Sequence, residues 1–302
     1  MKFLFSELIN HEQEYWTFCM ILFKTAHALQ LHLSGPSFKK PSSGFVLTMG
    51  ALHKGHLELI KHCKQAQQLT IASIFVNPTQ FNDPADFTKY PVTIENDIRL
   101  LEGAGCDILF IPTVAEIYPQ GFHATMHYEL GGLENILEGF YRPGHFQGVC
   151  QVVHRLVDIV KPGHLYLGRK DYQQCLVIKK MLDLTGHNIQ VHIVPTVRER
   201  DGLAMSSRNM RLNETERKQA LSIYRQMMMI KERIKDEPVS ALVDRANANL
   251  LLDGFSKIDY VSVVNPQSLL PVSEVRTGEA ALVLVAASLN NVRLIDNMEI
   301  IG

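Results

Sequence analysis

A change of pattern near Pro195 constrains this chain more than any other feature. Before it, short apolar runs alternate with stretches of helical period, and after it helices come first and strands follow. The first part reads as strands at Phe45–Leu47, Ile71–Val76, Ile108–Ile111, Leu165–Leu167 and Ile189–Val194. Between them lie helices that begin at Leu57 or run over Ile94–Glu102, Gly148–Val160 and Tyr172–Leu184. A parallel strand is reached again only through a crossover, so this alternation predicts a doubly wound, Rossmann-like α/β sheet with helices on both faces. Val149, Val152, Val153, Leu156, Val157 and Val160 recur at helical spacing and give one of those helices a core-facing stripe. Beyond Pro195 the spacing predicts helices over Glu214–Lys235 and Ser240–Leu252 and strands at Tyr260–Val264 and Ala281–Ala286, a second, smaller α+β domain. The hinge falls at Pro195-Thr196-Val197, which puts the large domain before it and the small one over 197–302.

Within that frame, Met49-Gly50-Ala51-Leu52-His53-Lys54-Gly55-His56 sits between a buried strand and an amphipathic helix. Backbone N–H groups and the helix dipole attract anions at such a turn, and imidazole N–H groups there can stabilise charge on a phosphate chain. The pair alone fits a catalytic and a structural reading equally. Arg198–Asn209 adds paired hydroxyls, Ser206 and Ser207, followed by the guanidinium of Arg208, in a stretch that reads as a mobile loop able to close on phosphates. Taken alone, that stretch fits a helix cap by Ser207 or Asn209 better. Gly168-Arg169-Lys170-Asp171 and the amides Asn77 and Gln80 stand at the carboxyl ends of expected strands, where open α/β sheets bind ligands.

Composition narrows the class of partner. The 302 residues, 46% hydrophobic and 20% charged, suffice for a large core, and a formal net charge of −1 provides no broad basic field for nucleic acid. No apolar run is long enough to span a bilayer, and His11, Glu12 and Glu14 interrupt what a secretory signal would need, so a cytoplasmic protein with no membrane partner is expected. Cys19, Cys63, Cys106, Cys150 and Cys175 are odd in number and lack paired spacing, which fits reduced thiols.

In order along the chain, TMGALHKGH, SIFVNPTQF, EGFYRPGHFQGV, GRKDYQQ and PTVRERDGLAMSSRN closely resemble pantothenate synthetase, in the HxGH nucleotidyltransferase superfamily. The resemblance runs from about Met20 to the C-terminus. It implies a pantoate–β-alanine ligase using ATP and magnesium through a pantoyl adenylate, with a large domain over 20–196 and a homodimer formed through it. It assigns ATP contacts to Met49, Gly50, Ala51, Leu52, His53, Lys54, Gly55, His56, Gly168, Arg169, Lys170, Asp171, Val197, Met205, Ser206, Ser207 and Arg208. His53, His56 and Lys170 would be catalytic, with His56 a proton donor whose pKa lies near working pH. Gln80 and Gln174 would bind pantoate, Gln80 also β-alanine. Met49 and Phe75 fit either a wall for the dimethyl group or plain core, and core is the better reading of Phe75. Glu138, Arg142 and His145 line the cleft in the family, with roles left open.

The chain departs from the family at Leu47, at Val92 and at Glu95-Asn96-Asp97, where relatives carry two adjacent acids. Asp97 alone would then hold magnesium. Met1–Cys19, with the only tryptophan, Trp16, has no counterpart in the family and is expected to be dispensable. An aminoacyl-tRNA synthetase shares the HxGH turn, but no anticodon-binding part is evident; an inactive relative would lack the phosphate donors seen here.

Overall fold

The computed structural model describes residues 20–35, 42–82, 84–122 and 126–301, so expectations for Met1–Cys19 lie outside the described residues. Its first sheet holds β1 (Ile21–Phe23), β2 (Ser43–Thr48), β3 (Leu69–Ile74), β4 (Ile108–Phe110), β5 (His164–Gly168) and β6 (Gln190–Val194). All pair in parallel, in the order β1-β4-β3-β2-β5-β6. Helices α1 (Ala26–Leu33), α2 (Lys54–Ala66), α3 (Pro84–Thr88), α4 (Ile94–Gly103), α5 (Val114–Ile117), α6 (Leu137–Tyr141), α7 (His145–Val160) and α8 (Tyr172–Leu184) connect them. Two core clusters form, with Phe45 and Phe110 in one and Val46 and Leu109 in the other. Successive residues of β2 and β4 thus point into opposite cores, which is why these strands read as continuous apolar runs. Gly44 lets α2 lie close to β2, since a Cβ there would sit 2.2 Å from the Cys63 sulfur.

After β6 come α9 (Glu214–Arg233), α10 (Val239–Leu252) and an antiparallel meander of β7 (Lys257–Val264), β8 (Ala280–Leu289) and β9 (Val292–Ile301). The α9 stripe of Ala220, Ile223, Met227 and Ile230 packs on this sheet in its own core. Asn213 caps α9 through Glu216, each side chain bonding to the other's backbone N–H, so the cap lies beyond both Ser207 and Asn209. Cys63, Cys106, Cys150 and Cys175 are buried and unbridged. Among the described residues no helix is long and apolar enough to cross a membrane.

The pattern reading missed β1, α1, β9 and the short helices α3, α5 and α6. β1 is only three residues long, and β9 carries Asp296 and Asn297 mid-strand, which breaks its apolar alternation. Helix α2 starts at Lys54 rather than Leu57, which brings His56 into its first turn and makes His53 its cap.

Candidate active site

Strands β2, β3 and β4 progress to one side of the first sheet and β5 and β6 to the other, so the order reverses between β2 and β5. A crevice opens at the carboxyl ends of strands where the order reverses in this way. Met49–His56 leaves β2 at that point and Gly168–Asp171 leaves β5. The first turn is tight: Gly50 has φ 81° and Ala51 φ 48°, an uncommon conformation for a residue with a side chain. Asp97 on α4 holds it there. Its two carboxylate oxygens accept the backbone N–H groups of Ala51 at 2.9 Å and Leu52 at 2.8 Å, and Thr93 donates at 3.1 Å.

That geometry corrects the expectation of a metal ligand. Asp97 is fully buried beneath the turn with both oxygens already used by donors, and Asn96 points to solvent. Around the cleft, Glu138, Asp86 and Asp296 are each held by arginine, and Asp171 makes a loose pair with Lys170 at 3.9 Å. The donor set does not form a dedicated magnesium site, because the ion prefers several carboxylate or phosphate oxygens in octahedral array.

The two histidines close the first turn of α2 on one another. His53 Nδ1 accepts from the Gly55 N–H at 3.1 Å, and His56 Nδ1 accepts from the His53 N–H at 3.3 Å. Gly55 is required for this, since a Cβ there would lie 2.9 Å from the His53 ring. With each Nδ1 acting as acceptor, the neutral rings carry their protons on Nε2, an assignment made from these bonds. Burial, and then the Lys170 charge, hold His53 at about 4. Burial, then His53 and Lys170, hold His56 at about 3. Both rings are neutral N–H donors at pH 7, which corrects the expectation that the His56 pKa lies near working pH.

The second domain holds the opposite wall. On β9, the Asn297 amide donates to the carbonyls of Arg169 at 2.9 Å and Lys170 at 2.8 Å, which fixes the loop after β5. Asp296 takes a two-pronged bond from Arg198 at 2.6 and 3.0 Å, which anchors the loop after the hinge. Ser206 caps a 3-10 turn over Ser207–Arg211, and the Ser207 hydroxyl donates to the Ala51 carbonyl at 2.9 Å. The expected phosphate loop is thus docked on the histidine turn. Arg208 and Arg211 share Asp86 of α3, at 2.9 and 2.6 Å, which orients the Arg208 guanidinium within the cleft wall.

A third wall carries the amides. Gly148 lets α7 press on the turn over Pro78–Gln80, where a Cβ would lie 2.4 Å from the Thr79 carbonyl. His145 Nδ1 and Arg142 hold the Gln80 carbonyl at 2.8 and 3.3 Å, and Asn77 donates to the Gln80 side-chain oxygen at 3.2 Å. Among the described residues the Gln80 Nε2 then reaches only the Met49 sulfur, at 3.0 Å, a weak acceptor that a substrate oxygen can displace. Gln173 is buried and spent on the Glu138 N–H and two carbonyls, so Gln174 is the amide that faces the cleft.

Of the expected residues, Met49, His53, Gly55, His56, Gln80, Gly168, Lys170, Asp171, Gln174, Val197, Met205, Ser206, Ser207 and Arg208 line one cleft, together with Phe75. Gly50, Ala51 and Leu52 lie behind it as the buried turn, Lys54 is exposed, and Arg169 turns away to pair with Glu299 at 2.9 Å. Sequence reasoning left open Glu138, Arg142 and His145, named Arg198 only as the start of its loop, and missed Asp86, Tyr260, Arg293, Asp296 and Asn297. The polar pair Asp296-Asn297 inside an apolar run was the one local signal of their role.

The profile of the Pantoate-beta-alanine ligase family matches residues 21–299. A pantothenate synthetase from Cytophaga hutchinsonii is 43% identical over 284 residues, 93% of this chain and all of that one. The crystal structure of pantothenate synthetase from Thermus thermophilus superposes with a TM-score of 0.85 at 40% identity, over 94% of this chain and 100% of that one. A pantoate-beta-alanine ligase from Francisella tularensis, complexed with beta-gamma ATP and beta-alanine, has a TM-score of 0.78 at 35% identity, over 93% of this chain and 97% of that one.

Proposed function

The chain belongs to the pantoate–β-alanine ligase family and is an enzyme of that type; on that premise we propose that it works through a pantoyl adenylate, with the assigned cleft residues in the roles below. In the first step a pantoate carboxylate oxygen attacks the α-phosphorus of ATP. The α–β P–O bond breaks, and pyrophosphate leaves with the electron pair. Charge then builds on the leaving oxygens. The Nε2–H groups of His53 and His56, the Lys170 ammonium, the Ser206 hydroxyl and Arg208 meet it with positive charge or hydrogen-bond donors already in place, while the Ser207 hydroxyl, whose proton goes to the Ala51 carbonyl, holds the loop against the histidine turn. Losing one such donor costs about 3–4 kcal/mol of transition-state stabilisation. His56 acts as a hydrogen-bond donor, with no change of protonation required.

In the second step the β-alanine amine attacks the acyl carbon, the carbon–oxygen bond to phosphate breaks, AMP departs, and the nitrogen releases a proton to solvent. Gln80 and Gln174 bind pantoate beside Met49 and Phe75, which offer an apolar wall for its dimethyl group. The adenylate hydrolyses if water reaches it, which gives the docked loop of Ser206–Arg208 a second purpose. Substrates are small molecules, ATP as its magnesium complex, pantoate and β-alanine, with no nucleic acid or membrane. A cytoplasmic homodimer is carried over from the family resemblance alone.

The observation that carries this reading is the pair of neutral imidazoles locked by their Nδ1 atoms beside Lys170 at the reversal of strand order. Incubation with Mg·ATP, D-pantoate and β-alanine tests it: pantothenate, AMP and pyrophosphate should appear in equal amounts, whereas ADP and phosphate would rule out adenylation.

A further inference from the structure

Away from the cleft, near the carboxyl end of α7, three side chains converge without a part in the chemistry above. His154 Nε2 lies 3.5 Å from one oxygen of Asp158, and His187 Nε2 lies 3.0 Å from the other. Their ligand atoms all fall within 4.8 Å of one another, the one such group among the described residues. We propose that His154, Asp158 and His187 bind one divalent transition-metal ion of the zinc class, clamping α7 to the loop that leaves α8.

The hydrogen bonds behind the rings favour a cation. Thr185 Oγ1 lies 2.8 Å from both the Met181 carbonyl and His187 Nδ1. A hydroxyl has one proton, and the carbonyl can only accept, so the arrangement is fully satisfied when Thr185 donates to Met181 and His187 Nδ1–H donates to Thr185. That tautomer leaves a lone pair on His187 Nε2 aimed at a carboxylate oxygen 3.0 Å away. Two lone pairs at that distance repel unless a positive centre lies between them, either a proton or a metal ion. Tyr128 Oη stands 2.8 Å from His154 Nδ1, so the second ring also has an outer partner, one that either accepts from Nδ1–H or donates to it. Outer partners of this kind orient metal-binding histidines and fix their tautomer.

Geometry and exposure fit an ion. Zinc bonds to nitrogen and oxygen are about 2.0–2.1 Å long, so tetrahedral ligand atoms sit about 3.3 Å apart; the two histidine–carboxylate contacts, 3.5 and 3.0 Å to different oxygens, bracket that value, and the three ligand atoms lie within 4.8 Å of one another. The rings meet edge to face at 86°, and both Nε2 atoms are turned to the carboxylate. The His154 and His187 side chains are about four-fifths buried while Asp158 is 47% exposed, leaving an open side for water as the fourth ligand. Two imidazoles discriminate against magnesium, so the magnesium brought by ATP does not compete. His145 of the cleft lies far back along α7, at its first residue, which puts the cluster about 13 Å away at the helical rise and makes the ion a structural clamp.

The test uses the full chain, stripped with a chelator and dialysed against zinc in the presence of excess magnesium. One zinc per chain is expected, with a melting temperature raised by several degrees and returned to its starting value by chelator. His187→Gln and Asp158→Asn should each weaken zinc binding at least tenfold, and Thr185→Val, which removes no ligand, about tenfold to a hundredfold. His53→Gln/His56→Gln should keep the zinc. Cobalt(II) provides a readout independent of variant folding: the unaltered chain should show the intense visible bands of a four-coordinate ion, displaced by one equivalent of zinc. No zinc retained at micromolar concentration, weak octahedral-type cobalt bands, or stoichiometric binding unaffected by His187→Gln would overturn the proposal and leave a protonated His187 paired with Asp158.

Discussion

His56 accepts, through Nδ1, the backbone N–H of His53, so each of the paired histidines is held by the turn that the other shapes. The relationship fixes which nitrogen faces the cleft. It also ties ring burial to folding, because neither ring can turn out to solvent without unmaking the start of α2.

A pH dependence follows. Both histidines have a pKa of 6.5 when unfolded, against about 4 for His53 and about 3 for His56 in the folded chain. The unfolded chain takes up these protons first as pH falls, so stability is level above pH 6.5 and declines as pH drops from 6.5 toward 4. His145, held at about 3 by burial and by Arg142, adds to the same decline. Urea unfolding in steps from pH 8 to pH 4 should show this acid limb, shallower in His53→Gln/His56→Gln; equal slopes would mean that the rings are not held neutral.

Asp97→Asn separates a turn support from a metal ligand. An amide has one acceptor oxygen, and its nitrogen would confront the N–H of Ala51 or Leu52, at a cost of about 1–3 kcal/mol. The variant should melt several degrees lower and lose ATP affinity, with its half-saturating magnesium at saturating ATP unchanged. Asn96→Asp, at an exposed position, should leave that value unchanged as well.

Glu138 and Arg293 join the two domains. Arg293 donates to both carboxylate oxygens at 2.6 and 2.8 Å, and Tyr260 adds a bond at 2.7 Å. Burial opposes the charge, yet the Arg293 fork holds the Glu138 carboxyl at about 2, below its ordinary 4.5. Arg293→Met should destabilise the protein by about 3–5 kcal/mol by stranding a buried carboxylate. Glu138→Gln in that background should recover part of the loss in a double-mutant cycle. Additive losses would show that the pair is not coupled.

Much of this architecture was legible in advance because buried parallel strands leave long apolar runs and α7 leaves a regular stripe. The cleft's near side was legible because Gly55, His53 and His56 act through neighbours in sequence. What stayed hidden acts across it: Asn297 on the loop of Arg169 and Lys170, Asp86 on Arg208, and Ser207 on Ala51 join segments far apart along the chain. Asp97 was misread for the same reason. An acid at the start of a helix looks like a cation ligand until the turn it supports, 46 residues away, is in view.

The central claim is that the cleft stabilises transfer of AMP to pantoate before the amine takes part. Isotope exchange between labelled pyrophosphate and ATP, with β-alanine left out, tests it most directly. The account predicts exchange that depends on D-pantoate and falls by about two to three orders of magnitude in His56→Ala without loss of fold. Exchange that needs β-alanine, that proceeds without pantoate, or that survives intact in His56→Ala would contradict it.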